Sequence, residues 1–450
     1  MSDALAEESL QRDTLQELLG ASDNDKLARY AAGLHPADIA AFLDSIDDTD
    51  HKIRLFSVLD APLASEVARE AGGLTRDLLL ENLSDTRLSA IVEHLDTDDA
   101  TDLLAELDAT RQRELLKRTS PDTRRDIVQL LAYDDDTAGG IMKTEVAQVV
   151  TGTTVREITE YLRREGELFH DIHGVFVTDA GRHLVGAIPL RTLILSDDST
   201  PAELMMDTDI VPVRVDIDQE EVARLFEKYD LIALPVVDDL DRLVGRITVD
   251  DVVDVISEEA TEDMLRMAGV SAETVTIEGP VHGMRSRLPW LTLNLLTASV
   301  SAITIAMFEG TIQLVAIAAA LMTMVASQGG NAGVQTMTLV VRGLALGEFE
   351  PEHVVKILRR EIVIAALNGV FLGAIAGVSV YLWRHDLALS LVLGSAMLIN
   401  LVIAALLGSL VPLGLKRLNI DPAVSSSVFV TAGTDVLGFF VFLGLLTLVL

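Results

Sequence analysis

The feature that most constrains this chain is a change of solvent near residue 284. Upstream lie 61 acidic and 26 basic side chains; downstream lie 8 and 9, in a stretch that is mostly apolar. A formal charge of −34 and a mean hydropathy of +0.36 would otherwise contradict each other. An acidic half in water joined to an apolar half in lipid resolves the conflict. The 450 residues include no cysteine, which excludes a disulfide framework, a thiolate-held zinc or iron–sulfur site and a thiol nucleophile. The excess of carboxylates repels phosphate backbones, so nucleic acid is not expected as a partner. The opening MSDALAEESL lacks the basic and apolar regions of a signal peptide, which places the acidic half in the cytoplasm.

About 20 apolar residues cross a bilayer core as a helix. Five runs in the second half satisfy this, at about 288–308, 311–341, 360–383, 387–415 and 422–450. Five crossings from a cytoplasmic N-terminus put the C-terminus outside. The basic residues agree: Arg285, Arg287, Arg342, Lys356, Arg359, Arg360, Lys416 and Arg417 fall on cytoplasmic flanks, and only Arg384 falls outside. The expected location is therefore the inner (plasma) membrane, with several passes and lipid as the surrounding partner. An odd number of helices makes a poor single-chain pore, so a symmetric homodimer is expected.

Asp435 lies in mid-span, where insertion of an aspartate costs roughly 2.5–3.5 kcal/mol. Such a residue faces a bundle interior or an aqueous path; the plainer alternative is a hydrogen bond to a neighbouring Ser or Thr. Ser425, Ser426, Ser427, Thr431 and Thr434 make a polar stripe around it, and no Lys or Arg lies at the same depth. Asn331 and Gln335 add amides within GGNAGVQ of the second span. Oxygen donors without His or Cys select a hard cation such as Mg²⁺, Ca²⁺ or Mn²⁺.

Residues 1–130 carry leucines at helical spacing, broken by Asp, Ser or Pro suited to N-caps, as in an array of short helix pairs stacked into a superhelix. Residues 141–256 repeat internally: the segment from Asp171 aligns with that from Asp230 at an offset of 59, matching Asp179 to Asp238 and Leu184-Val185-Gly186 to Leu243-Val244-Gly245. Each copy reads helix, strand, turn, strand, helix, and resembles a tandem CBS-domain pair. That resemblance implies a sensor of adenosine nucleotides or ions. Its ribose-holding Thr/Ser-x-x-Asp is present in the second copy as Thr248-Val-Asp-Asp251. The first copy has Pro189-Leu-Arg-Thr192, without the aspartate, which counts against ATP as a ligand. Arg191 for phosphate and Phe176 for stacking are the remaining nucleotide candidates.

Next comes a helix with acids at three- and four-residue spacing: Asp250, Asp251, Asp254, Glu258, Glu259, Glu262 and Asp263. Like charges so placed destabilise a helix unless cations neutralise them. A solvated face is the plainer reading, and 7 Lys against 28 Arg amid excess acid is the composition of a salt-adapted surface. His170-x-x-His173 lacks a third ligand, and Asp134-Asp135-Asp136 reads as a solvated loop. Walker A, G-x-S-x-G and H-E-x-x-H motifs are all absent, so the chain is not expected to be an enzyme.

LAYDDDTAGGIM (131–142), TVDDVVDVISEEATEDMLRMAGV (248–270), GGNAGVQ (329–335) and DPAVSSSVFVTAGTDVLG (421–438) together resemble the MgtE family of magnesium channels and transporters over essentially the whole chain. The resemblance implies a multidomain fold. It comprises an α-helical superhelical N-domain (1–137), an α/β tandem CBS pair (138–256), an acidic connecting or plug helix and linker (257–284), and an all-α five-helix transmembrane domain (285–450). It implies a homodimer, transport of Mg²⁺ past Asp435 with a backbone carbonyl near Thr431 and with Asn331 nearby, and closure by cytosolic Mg²⁺. The matching regulatory positions are Asp99, Asp102, Glu220, Asp230, Asp251, Asp254, Glu259, Glu262 and Asp263. Where members of that family often carry Asn-Pro, this chain has Ser427-Val428. Two alternatives stand beside this reading: a proton- or Na⁺-coupled transporter of Co²⁺, Mn²⁺ or Ni²⁺, and a membrane-tethered nucleotide sensor without transport.

Overall fold

The computed structural model describes residues 2–21, 23–166, 172–270, 280–345, 354–418, 420–423 and 426–450, in two compact units, Met1–Ser257 and Glu258–Leu450. The first unit begins with ten helices: α1 (Ser2–Ala21), α2 (Asn24–Ala31), α3 (Pro36–Ser45), α4 (Thr49–Val58), α5 (Ala61–Glu70), α6 (Gly73–Asn82), α7 (Asp85–Val92), α8 (Thr97–Ala105), α9 (Ala109–Leu116) and α10 (Pro121–Leu130). Their starts are set by side chains that accept free backbone N–H groups, among them Asp23, Asp48, Asp60, Ser84, Asp108 and Ser120. Pro36 and Pro121 sit at first positions that need no donor. Helices pack on the one two places along, α3 on α5, α5 on α7 and α7 on α9, with α2 on α4, α4 on α6 and α8 on α10, while α1 packs on α2. This is the stacking of a superhelix. A continuous core from Leu15 to Ile127 runs through it.

The 59-residue repeat then folds twice. The first copy is β1 (Gln148–Val150), α11 (Val155–Glu165), β2 (Gly174–Thr178), β3 (Leu184–Pro189) and α12 (Leu190–Leu195). The second is β4 (Val213–Arg214), α13 (Gln219–Tyr229), β5 (Ala233–Val237), β6 (Leu243–Thr248) and α14 (Val249–Met267). In each sheet the first strand runs parallel to the middle one, which pairs antiparallel with the third. The hairpin turns repeat in detail. Asp179 accepts from the backbone N–H groups of Gly181 and His183, and Asp238 from those of Leu240 and Arg242. Arg182 and Asp241 both take left-handed φ, 67° and 56°. The copies are joined at their hairpins, where Leu184 N–H donates to Asp241 and Leu243 N–H to Arg182.

In the second unit the long helices are α15 (Pro280–Ala306), α17 (Ala318–Ala345), α18 (Val354–Arg384), α19 (Leu387–Arg417) and α20 (Ser426–Val449), with the short α16 (Glu309–Leu314) after α15. Helix α19 packs against α17, α18 and α20. Gly373 and Gly394 let α18 and α19 meet backbone to backbone: a Cβ on Gly373 would stand 2.6 Å from the Gly394 carbonyl oxygen. Among the described residues four helices are long and apolar enough to cross a membrane: Gly283–Ala306, Val355–Arg384, Leu387–Arg417 and Ser427–Val449.

Within the expected span at 311–341 the structure shows two features. The segment is broken at 315–317 into α16 and α17, and α17 falls outside that apolar set. Gln328, Asn331 and Gln335 supply the polarity. The helix instead buries a stripe, Ala318, Leu321, Val325, Gly329, Gly333 and Met337, against its neighbours.

Candidate ion pathway and acidic clusters

The acids at the start of α8 and those at the start of α14 meet around one lysine. The segment bearing Lys143 is fixed to β6 by two backbone bonds with Arg246, N–H to O at 2.8 Å and its return at 2.9 Å. It is fixed to α8 through Thr97, whose hydroxyl donates to Glu145 (2.9 Å) and accepts the Thr144 N–H (2.9 Å). Lys143 is 2% exposed, and its Nζ lies 3.4 Å from Asp96, 4.0 Å from Asp98, 3.3 Å from Asp250 and 3.0 Å from Asp251. Asp96, Asp98 and Asp99 present oxygens within 4.8 Å of one another.

Burial dominates the electrostatics here. It pushes Asp98 well above the carboxylate range, helped by Asp99, and Asp99 to about 7, against the pull of Arg69 and Lys143. Burial alone would pull the Lys143 ammonium down. The surrounding carboxylates outweigh it and hold the ammonium above its usual value. Asp251 also accepts from the Thr248 hydroxyl (2.8 Å), so the ribose-motif carboxylate is already engaged within the chain.

A second cluster forms where α14 ends. Arg266 pairs with Asp421 (2.7 Å) and with Glu262. Burial raises Asp263, and the nearby Asp421 and Glu259 carboxylates raise it further. The Ser427 hydroxyl donates to the Met267 carbonyl (2.8 Å), tying the end of α14 to the first turn of α20. Met267 packs there with Met337, Val341, Ala423 and Val430. An all-oxygen donor set carrying more negative charge than its one arginine offsets fits a hard divalent cation.

In α20, Asp435 is half-buried and has no hydrogen bond or ion pair among the described residues. The helix is held against α17 by small contacts: Gly330 faces Thr431, and Gly333 faces Val430. Asn400 of α19 wedges between Gly329 and Gly438 and donates to the Val325 carbonyl (2.8 Å). The Thr431 carbonyl, inside the helical ladder of α20, also accepts the Thr434 hydroxyl (2.9 Å).

The other expected site residues are scattered. Asn331 is exposed, on the side of α17 away from the glycines that meet α20. Asp102 and Asp254 are exposed one turn beyond the lysine cluster. Glu220 and Asp230 lie at opposite ends of α13, about 15 Å apart along its axis. Phe176 is 8% exposed and packs with Val146 and Leu243, so its ring is a core element and offers no free stacking face; Arg191 is exposed. Asp134, Asp135 and Asp136 form an exposed turn, and His170 lies outside the described residues. The sequence pattern does not mark Lys143, Asp96, Asp98, Asp421 or Asn400 as site residues, and it marks Asp250 only as one of the acids of α14. The only sequence signal for the first was a lysine in a chain that has seven.

Comparison with known proteins supplies the class. Models of the MgtE intracellular N domain, the CBS domain and the MgtE divalent cation transporter domain match residues 34–136, 138–197 with 202–258, and 322–445. The magnesium transporter MgtE of Thermus thermophilus is 34% identical over 97% of this chain and 98% of its own length. That of Enterococcus faecalis is 37% identical over 69% of this chain and 68% of its own. A crystal structure of the cytosolic domain of the Mg²⁺ channel MgtE in complex with ATP is 38% identical, with a TM-score of 0.52 over 54% of this chain and 99% of its own.

Fold, clusters and relatives define a divalent cation transporter built on a helical N-domain, tandem CBS domains and a membrane bundle. The chain belongs to the MgtE family of magnesium transporters.

Proposed function

We propose that this chain forms a homodimeric Mg²⁺ channel of the plasma membrane, with its acidic half in the cytoplasm, five crossings and an outside C-terminus. The observation that carries the reading is Asp435, a carboxylate in the middle of an apolar helix with no partner among the described residues. An aspartate at that depth needs a cation, and a passing hydrated Mg²⁺ supplies one. The side chain of Asp435, doubled by dimer symmetry, and the Thr431 carbonyl one turn away receive the waters around it. Small residues at Gly330 and Gly333 keep α17 close beneath them. No ATPase is required, because an inside-negative potential favours entry of two charges by roughly 4.6 kcal/mol per 100 mV.

The acids at the end of α14 set the feedback. Glu259, Glu262, Asp263 and Asp421 together would hold regulatory Mg²⁺, which supplies the positive charge that Arg266 alone does not. With that charge withdrawn the carboxylates repel one another, the Ser427–Met267 tie is loaded, and the first turn of α20 is released. ATP would be a modulator rather than a fuel. Engagement of Asp251 by Lys143 and Thr248 weakens its use as a ribose ligand.

The test is Mg²⁺ flux into liposomes carrying the purified full chain, with Mg²⁺ varied separately on each face. Flux that falls as Mg²⁺ rises on the cytoplasmic-domain face supports the feedback. Flux indifferent to that face would reduce the α14 acids to a solvated surface.

A further inference from the structure

We propose that the Lys143 ammonium is a built-in cation: it fills the site between the starts of α8 and α14, so the helical array stays joined to the CBS pair without a divalent ion. Lysine is among the residues least often buried whole, and an ammonium without countercharge is not tolerated away from water. Here it is 2% exposed and meets Asp96 and Asp98 from one segment and Asp250 and Asp251 from another, some 150 residues along the chain. Its base is held to β6 by the paired bonds with Arg246, so the ammonium arrives at a set position.

A hydrated or octahedral divalent ion needs about six oxygens around it. One oxygen from each of Asp96, Asp98, Asp250 and Asp251 is already turned on Nζ at 3.0–4.0 Å. An ion among them would share the pocket with a fixed positive charge. Asp251, one of the acids expected to hold regulatory Mg²⁺, is thus served by the chain itself. The proposal narrows the feedback reading to the end of α14. It stands apart from conduction, because its test measures the α8 joint and not flux.

The test is hydrogen–deuterium exchange on the full chain in detergent, in chelator and in magnesium chloride, following the peptide 97–105. In wild type, α8 protection should differ by less than about twofold between the two conditions. In Lys143→Met, exchange of α8 should be at least about tenfold faster in chelator and slow again when magnesium chloride fills the vacated pocket; Lys143→Arg should stay protected in chelator. Wild-type α8 that gains tenfold or more protection from Mg²⁺ would overturn the proposal. So would Lys143→Met that exchanges like wild type in chelator. Should Lys143→Met fail to fold, the wild-type comparison decides alone.

Discussion

The carboxylates around Lys143 and the carboxylate of Asp435 differ in whether the fold brings them a positive charge. Around Lys143 the chain provides the cation, on a strand-anchored stem, and the result is a joint. Around Asp435 no cation is provided among the described residues, and on the proposed reading the transported ion takes that place. The acids at the end of α14 lie between these extremes, with one arginine facing Glu262 and Asp421 while Asp263 is raised by burial and its neighbours. An acidic residue therefore says little by itself. What decides its role is whether the fold brings it a permanent countercharge.

The comparison breaks first at the lysine. Lys143→Met leaves buried carboxylates unpaired and should lower the stability of the full chain in chelator by about 3–5 kcal/mol, read by denaturant unfolding in detergent. A loss below about 1 kcal/mol would mean that the cluster does not couple α8 to α14.

On the membrane side the close approach of α17, α19 and α20 can be probed at Gly329, where an added Cβ would collide with the Asn400 amide. Gly329→Ala should cost about 1–3 kcal/mol, seen as a lower melting temperature in micelles. An unchanged melting temperature would show that Asn400 is free to move away. Asn400→Leu, which removes the bond to Val325 while keeping most of the volume, should cost about 1–2 kcal/mol.

The smallest effect is a pH dependence. Asp99, facing Arg69, Lys143, Asp96 and Asp251, is raised from 3.8 to about 7 in the fold. The stability it contributes is full below its unfolded value and is lost as pH rises through about 7. In chelator the chain should gain about 1 kcal/mol between pH 8 and pH 6, and Asp99→Asn should flatten that slope. A slope that survives the substitution belongs to another group.

Much of this was legible from residues alone, because it rests on patterns with a period. The 59-residue offset carries over to strands, turns and even the left-handed residues Arg182 and Asp241. The leucine spacing of the first 130 residues became helices with the expected Asp, Ser and Pro starts. Asp435 stood out because it breaks an apolar run.

What was not legible has no period. Strands β1 and β4 are two or three residues long and do not obey the repeat offset. The break between α16 and α17 falls in an uncharged stretch with no Pro to mark it. The lysine cluster assembles three segments distant in sequence. Spacing along α14 could show that its acids share a helix, but not that Asp251 reaches an ammonium while Asp254, one turn on, remains exposed.

On the proposed reading, Asp435 lacks a countercharge among the described residues because the transported ion provides it. The direct measurement is Mg²⁺ uptake by liposomes holding wild type or Asp435→Asn, with both proteins shown to elute and melt alike. Wild-type uptake with background uptake in Asp435→Asn is the predicted result. Uptake in Asp435→Asn equal to wild type would contradict it and leave Asp435 a structural residue of α20.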